Sequence, residues 1–250
     1  MTLIVNLSTT HDYSIQQTVG AFVRLCKEHS HGCLKSMPGF FEDSYNYLWV
    51  MTQYQLNYKE LIEPYKLGKI STDAFLENLS KIFPFMNELS KDSRHELLAK
   101  AWNASIQIGP DKHDRFAYLA ERAKAEPVYL ISNTNKLNIQ AIMTLFSETF
   151  AELKLNLKAD ISITHSQEPV EILPNIFLCL SYRYGSFKTQ LPSTTSLLDT
   201  LVKQARDSVS VVSQYSGDLE RAKELGVANV MKPEDFYGSS NQLSFDKKSL

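Results

Sequence analysis

The stretch LIVNLSTT at residues 3–10 joins an apolar run to a short polar turn. This pattern is typical of a buried β-strand that ends at an exposed edge of a sheet. In open α/β sheets, ligands bind at the carboxyl ends of the strands. The turn nevertheless contains no acid, base or strong nucleophile, because its polar residues are Asn6, Ser8, Thr9 and Thr10. The stretch therefore predicts either an ordinary strand end or a catalytic strand end that has lost its catalyst.

Further apolar runs extend this pattern along the chain. Five strands are predicted in total, one from each of the apolar runs at 2–7, 127–132, 175–180, 209–213 and 227–231. The last four runs alternate with helical patterns, which favours βα units, a parallel sheet and helices on both of its faces. We therefore predict an α/β fold.

Residues 14–105 interrupt the alternation with helical patterns only, and they are rich in aromatic residues. The segment is too long for a simple crossover, so we predict an inserted all-helical domain at 14–105 and a core at 1–13 and 106–240. Ser14 and Gln17 have the spacing of a capping box at the start of its first helix.

Two other segments depart from the regular pattern. Residues 148–172 are longer than an ordinary helix-to-strand connection and include alternating stretches, which predicts an insertion in the core, such as a hairpin or an arm at the sheet edge. Residues 241–250 are polar and predict a flexible tail.

Composition excludes several classes of protein. The 250 residues carry a formal charge of −2, which gives no reason to expect a nucleic acid or an anionic membrane as partner. No apolar run approaches the roughly 20 residues of a membrane span, and no basic region precedes the first apolar run, as it would in a signal peptide. The three cysteines are too few for a disulfide framework. We expect a soluble cytoplasmic protein.

Several short motifs follow the predicted strands and lie within the helical segment. LISNTN (130–135) ends the second predicted strand, SYRYGSFK (181–188) follows the third, and VVSQYSGDLERAKELGV (211–227) contains the fourth. Within the helical segment lie YKLGKISTDAFLENL (65–79) and AWNAS (101–105). Over nearly the whole chain, this order resembles the haloacid dehalogenase-like (HAD) phosphatase superfamily with a helical cap after the first strand. The resemblance implies a HAD-like Rossmannoid core with an all-helical cap.

The resemblance also implies a particular chemistry. In such a family, an aspartate nucleophile at the end of the first strand forms an aspartyl-phosphate. A second acid two residues later protonates the leaving oxygen. Mg²⁺ is held by the nucleophile and by acids after the fourth strand, and a Ser or Thr and a Lys bind the phosphoryl oxygens.

At these positions the sequence departs from the family. Asn6 replaces the nucleophile and Ser8 the general acid, while Ser213 and Gln214 replace the acids of the fourth strand. An amide is not a nucleophile, and a serine hydroxyl is a very weak acid. Only Asp218 retains a carboxylate, which we expect to act as a charge at a helix N-terminus and not as a metal ligand. We therefore expect no catalytic residue, no Mg²⁺ site and no other cofactor.

The phosphate-binding half of the motif set is retained. Ser132, Asn133 and Lys188 form a possible residual anion site, and without the acids Lys188 would be unpaired and the pocket net positive. The alternative is that Ser132 and Asn133 only suit a tight turn and that Lys188 is a solvated surface lysine.

Other candidates have simpler explanations. His29, His31 and Cys33 resemble metal-ligand spacing, but without a second cluster a polar loop is the better interpretation. We interpret Asp12 as a surface acid. Tyr182 and Tyr184 would fill space beside the former site. The aromatic residues of the helical segment predict cap core, with an apolar patch as the alternative; they are Phe40, Phe41, Tyr45, Tyr47, Trp49 and Tyr54.

These patterns predict a catalytically inactive HAD-like pseudoenzyme. It would be an interaction or scaffold subunit of a larger cytosolic assembly and would bind its protein partner through 14–105 or 148–172. Bacterial secretion or effector-handling machinery is one example of such an assembly, although no residue points to it. The alternatives are a weak or altered phosphohydrolase, using Asp12 or a deamidated Asn6, and a sensor of phosphate or phosphorylated metabolites.

Overall fold

The computed structural model describes residues 1–29, 39–107, 112–153, 168–188, 196–205 and 208–238. The chain divides into two compact units. The α/β unit comprises Met1–His11, Ile108–Asn133 and Leu145–Leu250, and the helical unit comprises Asp12–Gln107 and Thr134–Thr144. The division at 14–105 that the sequence suggests stays a prediction.

The strands and helices are numbered in chain order. The strands are β1 (Thr2–Asn6), β2 (Asp12–Tyr13), β3 (Ile106–Gln107), β4 (Val128–Ser132), β5 (Val170–Leu173), β6 (Ile176–Leu180), β7 (Val209–Val212) and β8 (Asn229–Met231). The helices are α1 (Ile15–His29), α2 (Gly39–Leu56), α3 (Glu63–Lys66), α4 (Thr72–Ile82), α5 (Lys91–Asn103), α6 (Lys112–Arg122), α7 (Lys136–Glu152), α8 (Ser181–Tyr184), α9 (Leu197–Gln204), α10 (Ser216–Glu224) and α11 (Pro233–Gly238).

One sheet organises the α/β unit, with the strand order β5-β6-β4-β1-β7-β8. Its neighbours run parallel, except for the antiparallel pair β5 and β6. All five residues of β1 are buried, as expected for a central parallel strand, whose two faces are both covered. The α/β class and the strands predicted from the five apolar runs are confirmed.

The edge strand β5 lies within the segment 148–172 and continues to Leu173. It forms a hairpin with β6, and Asn175 in the connection has a φ of 61°, a left-handed conformation that asparagine tolerates. Residues 148–152 of the same segment belong to α7. Residues 154–167 of the segment, and the predicted tail 241–250, lie outside the described residues.

One face of the sheet packs against α9 and α10. Ile4, Ile131 and Cys179 contribute to this cluster from three adjacent strands. Cys179 is fully buried, and burial raises the pKa of its thiol to about 12. Tyr184 of α8 packs against the same cluster, with its hydroxyl 3.9 Å from the Cys179 sulfur.

The helical unit has an aromatic core, which we define as Tyr65, Phe75 and Trp102. The rings of Tyr65 and Phe75 stack with centroids 4.1 Å apart, and Phe75 meets Trp102 edge to face at 4.8 Å. The start of α7 joins this core, because the Leu137 backbone N–H donates to the Tyr65 hydroxyl over 3.2 Å. Cys26 is buried in the same unit, and burial raises the pKa of its thiol to about 12.

The aromatic residues predicted as cap core are divided between core and surface. Trp49 and Tyr54 pack against the core of the helical unit, whereas Tyr47 is exposed, together with Leu48 and Leu56 of the same helix. The side chains of Phe40, Phe41 and Tyr45 lie outside the described residues. Across the described part of the chain, no helix combines the length and the apolar character needed to cross a membrane.

The predicted capping box at the start of α1 is wrong. The Gln17 amide pairs with the Gln107 amide, with Nε2 of Gln17 3.1 Å from Oε1 of Gln107. The backbone N–H of Ser14 donates to the Ser105 carbonyl over 3.2 Å. A partner 90 residues away in sequence therefore takes the side chain that the local pattern assigned to the helix end.

Candidate functional site

Three strand ends meet at the carboxyl edge of the sheet. Asn6, the last residue of β1, is in register with Ile131 of β4, and Val5 is in register with Val212 of β7. Ser132 and Ser213 follow those partners by one residue. Three of the polar positions selected from the sequence are therefore brought to one edge.

The Asn6 side chain has both of its polar atoms engaged. Its Nδ2 donates to Asp218 Oδ2 over 2.9 Å and to Ser213 Oγ over 3.1 Å. Its Oδ1 accepts from the backbone N–H of Ser8 over 3.1 Å and from the Ser8 hydroxyl over 2.8 Å. Because a backbone N–H only donates and an ionised carboxylate only accepts, these partners fix the orientation of the amide.

Asp218 collects two further donors on the same oxygen. Its Oδ2 accepts from Lys188 Nζ over 2.9 Å and from Ser213 Oγ over 2.7 Å. The side chains of Lys188 and Asp218 are only 6% and 5% exposed. We call Asn6, Lys188, Ser213 and Asp218 the strand-end centre.

The expectation that Lys188 is unpaired in a net positive pocket is wrong. Its ammonium group forms a buried ion pair with Asp218, and their formal charges cancel. A charged lysine buried this deeply without a counter-ion would strongly destabilise the folded protein. Asp218 does lie in the first turn of α10, as expected, but it is buried there and is a member of the centre.

Tyr215 completes the surroundings of Lys188 and is not among the site residues predicted from the sequence. Its ring centroid lies 4.7 Å from Lys188 Nζ, within range of a cation–π interaction. Its backbone N–H donates to Ser213 Oγ over 3.1 Å. Tyr215 is 45% exposed, so this neighbour of the buried lysine reaches the protein surface. The only signal in the sequence is an aromatic residue three positions before Asp218.

The remaining predicted positions lie around this centre. Asn133 is exposed, and its Oδ1 accepts from the backbone N–H of Lys188 over 2.6 Å, so it holds the lysine loop. Ser132 is half-buried at the end of β4, and Gln214 is exposed beside Ser213. Whether Ser132, Asn133 and Lys188 bind an anion stays a prediction.

The turn after β1 is anchored by residues that the sequence analysis did not select. The Thr9 carbonyl accepts from Arg115 Nη1 over 2.9 Å, and the Thr9 hydroxyl lies 3.2 Å from that of Tyr237. The Arg115 guanidinium lies 5.0 Å from the centre of the Tyr237 ring. Burial raises the pKa of Tyr237 to about 12. Helices α6 and α11 therefore hold this turn in place.

The arrangement of the centre does not fit Mg²⁺. This ion prefers several oxygen ligands in octahedral geometry, yet Asn6 presents its nitrogen to the carboxylate and turns its oxygen to Ser8. The Asp218 oxygen that faces Asn6, Oδ2, already accepts three hydrogen bonds.

The possible ligand cluster at residues 29–33 lies mostly outside the described residues. Within the described residues, no three His, Cys, Asp or Glu side chains are grouped as metal ligands. His31 and Cys33 lie outside them, and Asp12 begins β2 with its side chain outside those described.

No protein-family model matches this sequence, and no curated protein is significantly similar to it. Solved structures do match. A HAD family enzyme from Bacteroides thetaiotaomicron aligns over 97% of this chain and 97% of that chain, with a TM-score of 0.61 and 16% identity. The magnesium complex of that enzyme covers 97% and 98%, with a TM-score of 0.56 and 15% identity.

A third structure, the wild-type enzyme in complex with magnesium and inorganic phosphate, covers 92% of each chain, with a TM-score of 0.57 and 12% identity. At such low identities the similarity concerns the fold. This chain has the HAD-like fold that its motifs predicted.

Proposed function

We propose that this chain is a non-catalytic protein with a HAD-like fold and that it acts by binding a protein partner. The observation that carries the first part is the amide of Asn6, which donates a hydrogen bond to the Asp218 carboxylate. Formation of an aspartyl-phosphate needs a carboxylate at this position. Loss of the Mg²⁺ site is part of the same proposal.

Electrostatics explain why an amide suits position 6 in this centre. An aspartate there would bring a second carboxylate against Asp218. Two like charges 4 Å apart repel by about 4 kcal/mol at an effective dielectric constant near 20. Such a pair would need a proton or a divalent cation between its members, whereas the amide makes a hydrogen bond to Asp218 without either.

Restoring the missing acids tests the loss of catalysis. We would measure hydrolysis of a generic phosphoester with Mg²⁺ for the wild type and for the variant Asn6→Asp/Ser8→Asp/Gln214→Asp. The wild type is expected to show no turnover, and the restored variant to gain Mg²⁺-dependent turnover. The matched control Ser8→Asp/Gln214→Asp retains Asn6 and should stay inactive, because it lacks the nucleophile.

Wild-type turnover that disappears in Lys188→Ala would show that the protein is an enzyme. The melting temperature of the restored variant gives a second readout. It should rise with Mg²⁺, because the added carboxylates supply the oxygen ligands that the native centre lacks.

The surface of α2 supports the second part of the proposal. Leu48 and Leu56 are 65% and 69% exposed, and Tyr47 lies beside Leu48. Exposed apolar and aromatic side chains on one helix are typical of surfaces that contact other proteins. We would compare co-purification by the wild type and by Leu48→Glu/Leu56→Glu, with circular dichroism as the control for folding.

A specific partner should be captured by the wild type and lost in that variant. If no stable partner is captured under several conditions, the binding role is contradicted.

A further inference from the structure

We infer that the donors of the strand-end centre form an oxyanion-binding site and that its ligand in the native protein is the chain's own Asp218 carboxylate. The inference rests on the proposed non-catalytic function and adds a reason why free anions do not bind at the centre. Three donors, Asn6 Nδ2, Lys188 Nζ and Ser213 Oγ, lie 2.9, 2.9 and 2.7 Å from one Asp218 oxygen.

The chemistry of these donors defines the class of ligand. One donor is cationic and two are neutral, and charge-assisted hydrogen bonds from such a set favour an anionic oxygen. The residues carrying them are all buried: Asn6 and Ser213 are 1% exposed and Lys188 is 5% exposed. Fixed donors shielded from water stabilise negative charge more strongly than exposed ones do. The expected ligands are therefore small oxyanions with a carboxylate-like oxygen.

Asp218 blocks this site because the protein backbone holds its carboxylate next to the three donors. A group tethered next to its binding site has an effective concentration in the millimolar range or above. A free anion must displace the carboxylate and also separate it from Lys188. The wild type is therefore expected to ignore phosphate and formate at millimolar concentration.

Chemical rescue of Asp218→Ala tests the inference. This variant removes the carboxylate and leaves Lys188 without its counter-ion. Added formate should occupy the vacated position and raise the melting temperature in a saturable way, by about 3 °C or more at ten times its dissociation constant. Phosphate forms a second arm that shows how large an oxyanion fits, and sodium chloride of equal ionic strength controls for general salt effects.

Two matched variants make the test specific. Asp218→Asn refills the position with an amide whose oxygen still accepts, so formate should give no rescue beyond chloride. Lys188→Met/Asp218→Ala removes the cation, and its rescue should also be lost. If Asp218→Ala does not fold alone, Asp218→Ser and refolding in formate provide the same readout.

Saturable stabilisation by formate in Asp218→Ala, absent from both controls, would support the site. Equal effects of formate and chloride, or failure of both small variants to fold even in formate, would overturn it. Because stability is measured and not turnover, a failure here is distinct from the discovery of wild-type phosphatase activity.

Discussion

The strand-end centre and the aromatic core of the helical unit are both buried, but they are stabilised by different forces. In the centre, a carboxylate oxygen satisfies a lysine, a serine and an amide. In the core, Phe75 is fully buried between Tyr65 and Trp102. Loss of one member of a buried ion pair leaves an uncompensated charge, which a second substitution removes. Loss of a ring leaves a cavity, which no change of charge repairs.

The largest effect is expected from the apolar side of this comparison. Phe75→Ala should lower the free energy of unfolding by about 4 kcal/mol, since it removes a fully buried ring and leaves a cavity. Both tryptophans of the chain, Trp49 and Trp102, belong to the helical unit, so their fluorescence during urea unfolding reports on this unit. The exposed Tyr47→Ala is the control and should change stability by less than about 0.5 kcal/mol. A loss below about 1 kcal/mol for Phe75→Ala would contradict the described packing.

On the polar side, Lys188→Met should cost about 3 kcal/mol, because Asp218 is left buried without its counter-ion. The double variant Lys188→Met/Asp218→Asn should recover most of that loss, as an isosteric neutral pair avoids the charge. Urea unfolding followed by far-ultraviolet circular dichroism measures both.

The control for the lysine is Lys124→Met. Lys124 pairs with Glu121 at the surface, where the two side chains are 73% and 59% exposed, and this change should cost less than about 1 kcal/mol. If Lys188→Met and Lys188→Met/Asp218→Asn are equally destabilised, removing the charge does not restore stability. The centre would then not differ from the aromatic core in this respect.

A smaller effect should reveal a polar component within the aromatic core. Tyr65→Phe keeps the stacked ring but removes the hydroxyl that accepts from the Leu137 backbone N–H and lies 3.0 Å from the Thr72 hydroxyl. We expect a loss of about 1 kcal/mol, the usual scale for a buried group left without its partner. Tryptophan fluorescence in urea is the measurement, and no loss would mean that the ring alone matters.

Sequence patterns anticipated the regular part of the fold better than they anticipated the centre. The buried strands were found because parallel strands covered on both faces are continuous apolar runs. The edge strand β5, with the sequence VEIL, is short and half-exposed, and its pairing depends on the hairpin with β6. It was anticipated only as one possibility for a longer segment.

The centre was only partly predictable because its contacts are long-range. The positions Asn6, Ser213 and Asp218 were recognised from motif order, but the pairing of Lys188 with Asp218 joins residues 30 positions apart. The missing acids of the motifs predict an unpaired lysine. In the structure Lys188 is buried and paired, because the single remaining carboxylate, Asp218, is enough to neutralise its charge.

The smallest predicted effect concerns an ion pair that is nearer the surface than the centre. Hydrogen bonds from Arg221 hold the pKa of Asp199 below its ordinary value, and Ser196 contributes to this shift. A carboxyl group with a lowered pKa contributes stability above the unfolded pKa near 3.9 and loses it as pH falls through the folded pKa. The melting temperature of Asp199→Asn should therefore fall less steeply than that of the wild type as the pH drops below about 4.

The contribution of Asp199 should also weaken in high salt, because the Arg221 side chain is one-third exposed. If the melting temperatures of the wild type and Asp199→Asn fall equally as the pH drops below about 4, the contribution of Asp199 is contradicted.

Each unit contains a buried thiol whose rate of chemical labelling reports how often that unit opens. Only a thiolate reacts readily with alkylating reagents, and Cys26 and Cys179 stay protonated at neutral pH because burial raises the pKa of both to about 12. Modification of either must wait until the surrounding structure opens. In a Cys33→Ser background, the peptide that gains mass first during a labelling time course would show which unit opens first, without any introduced probe.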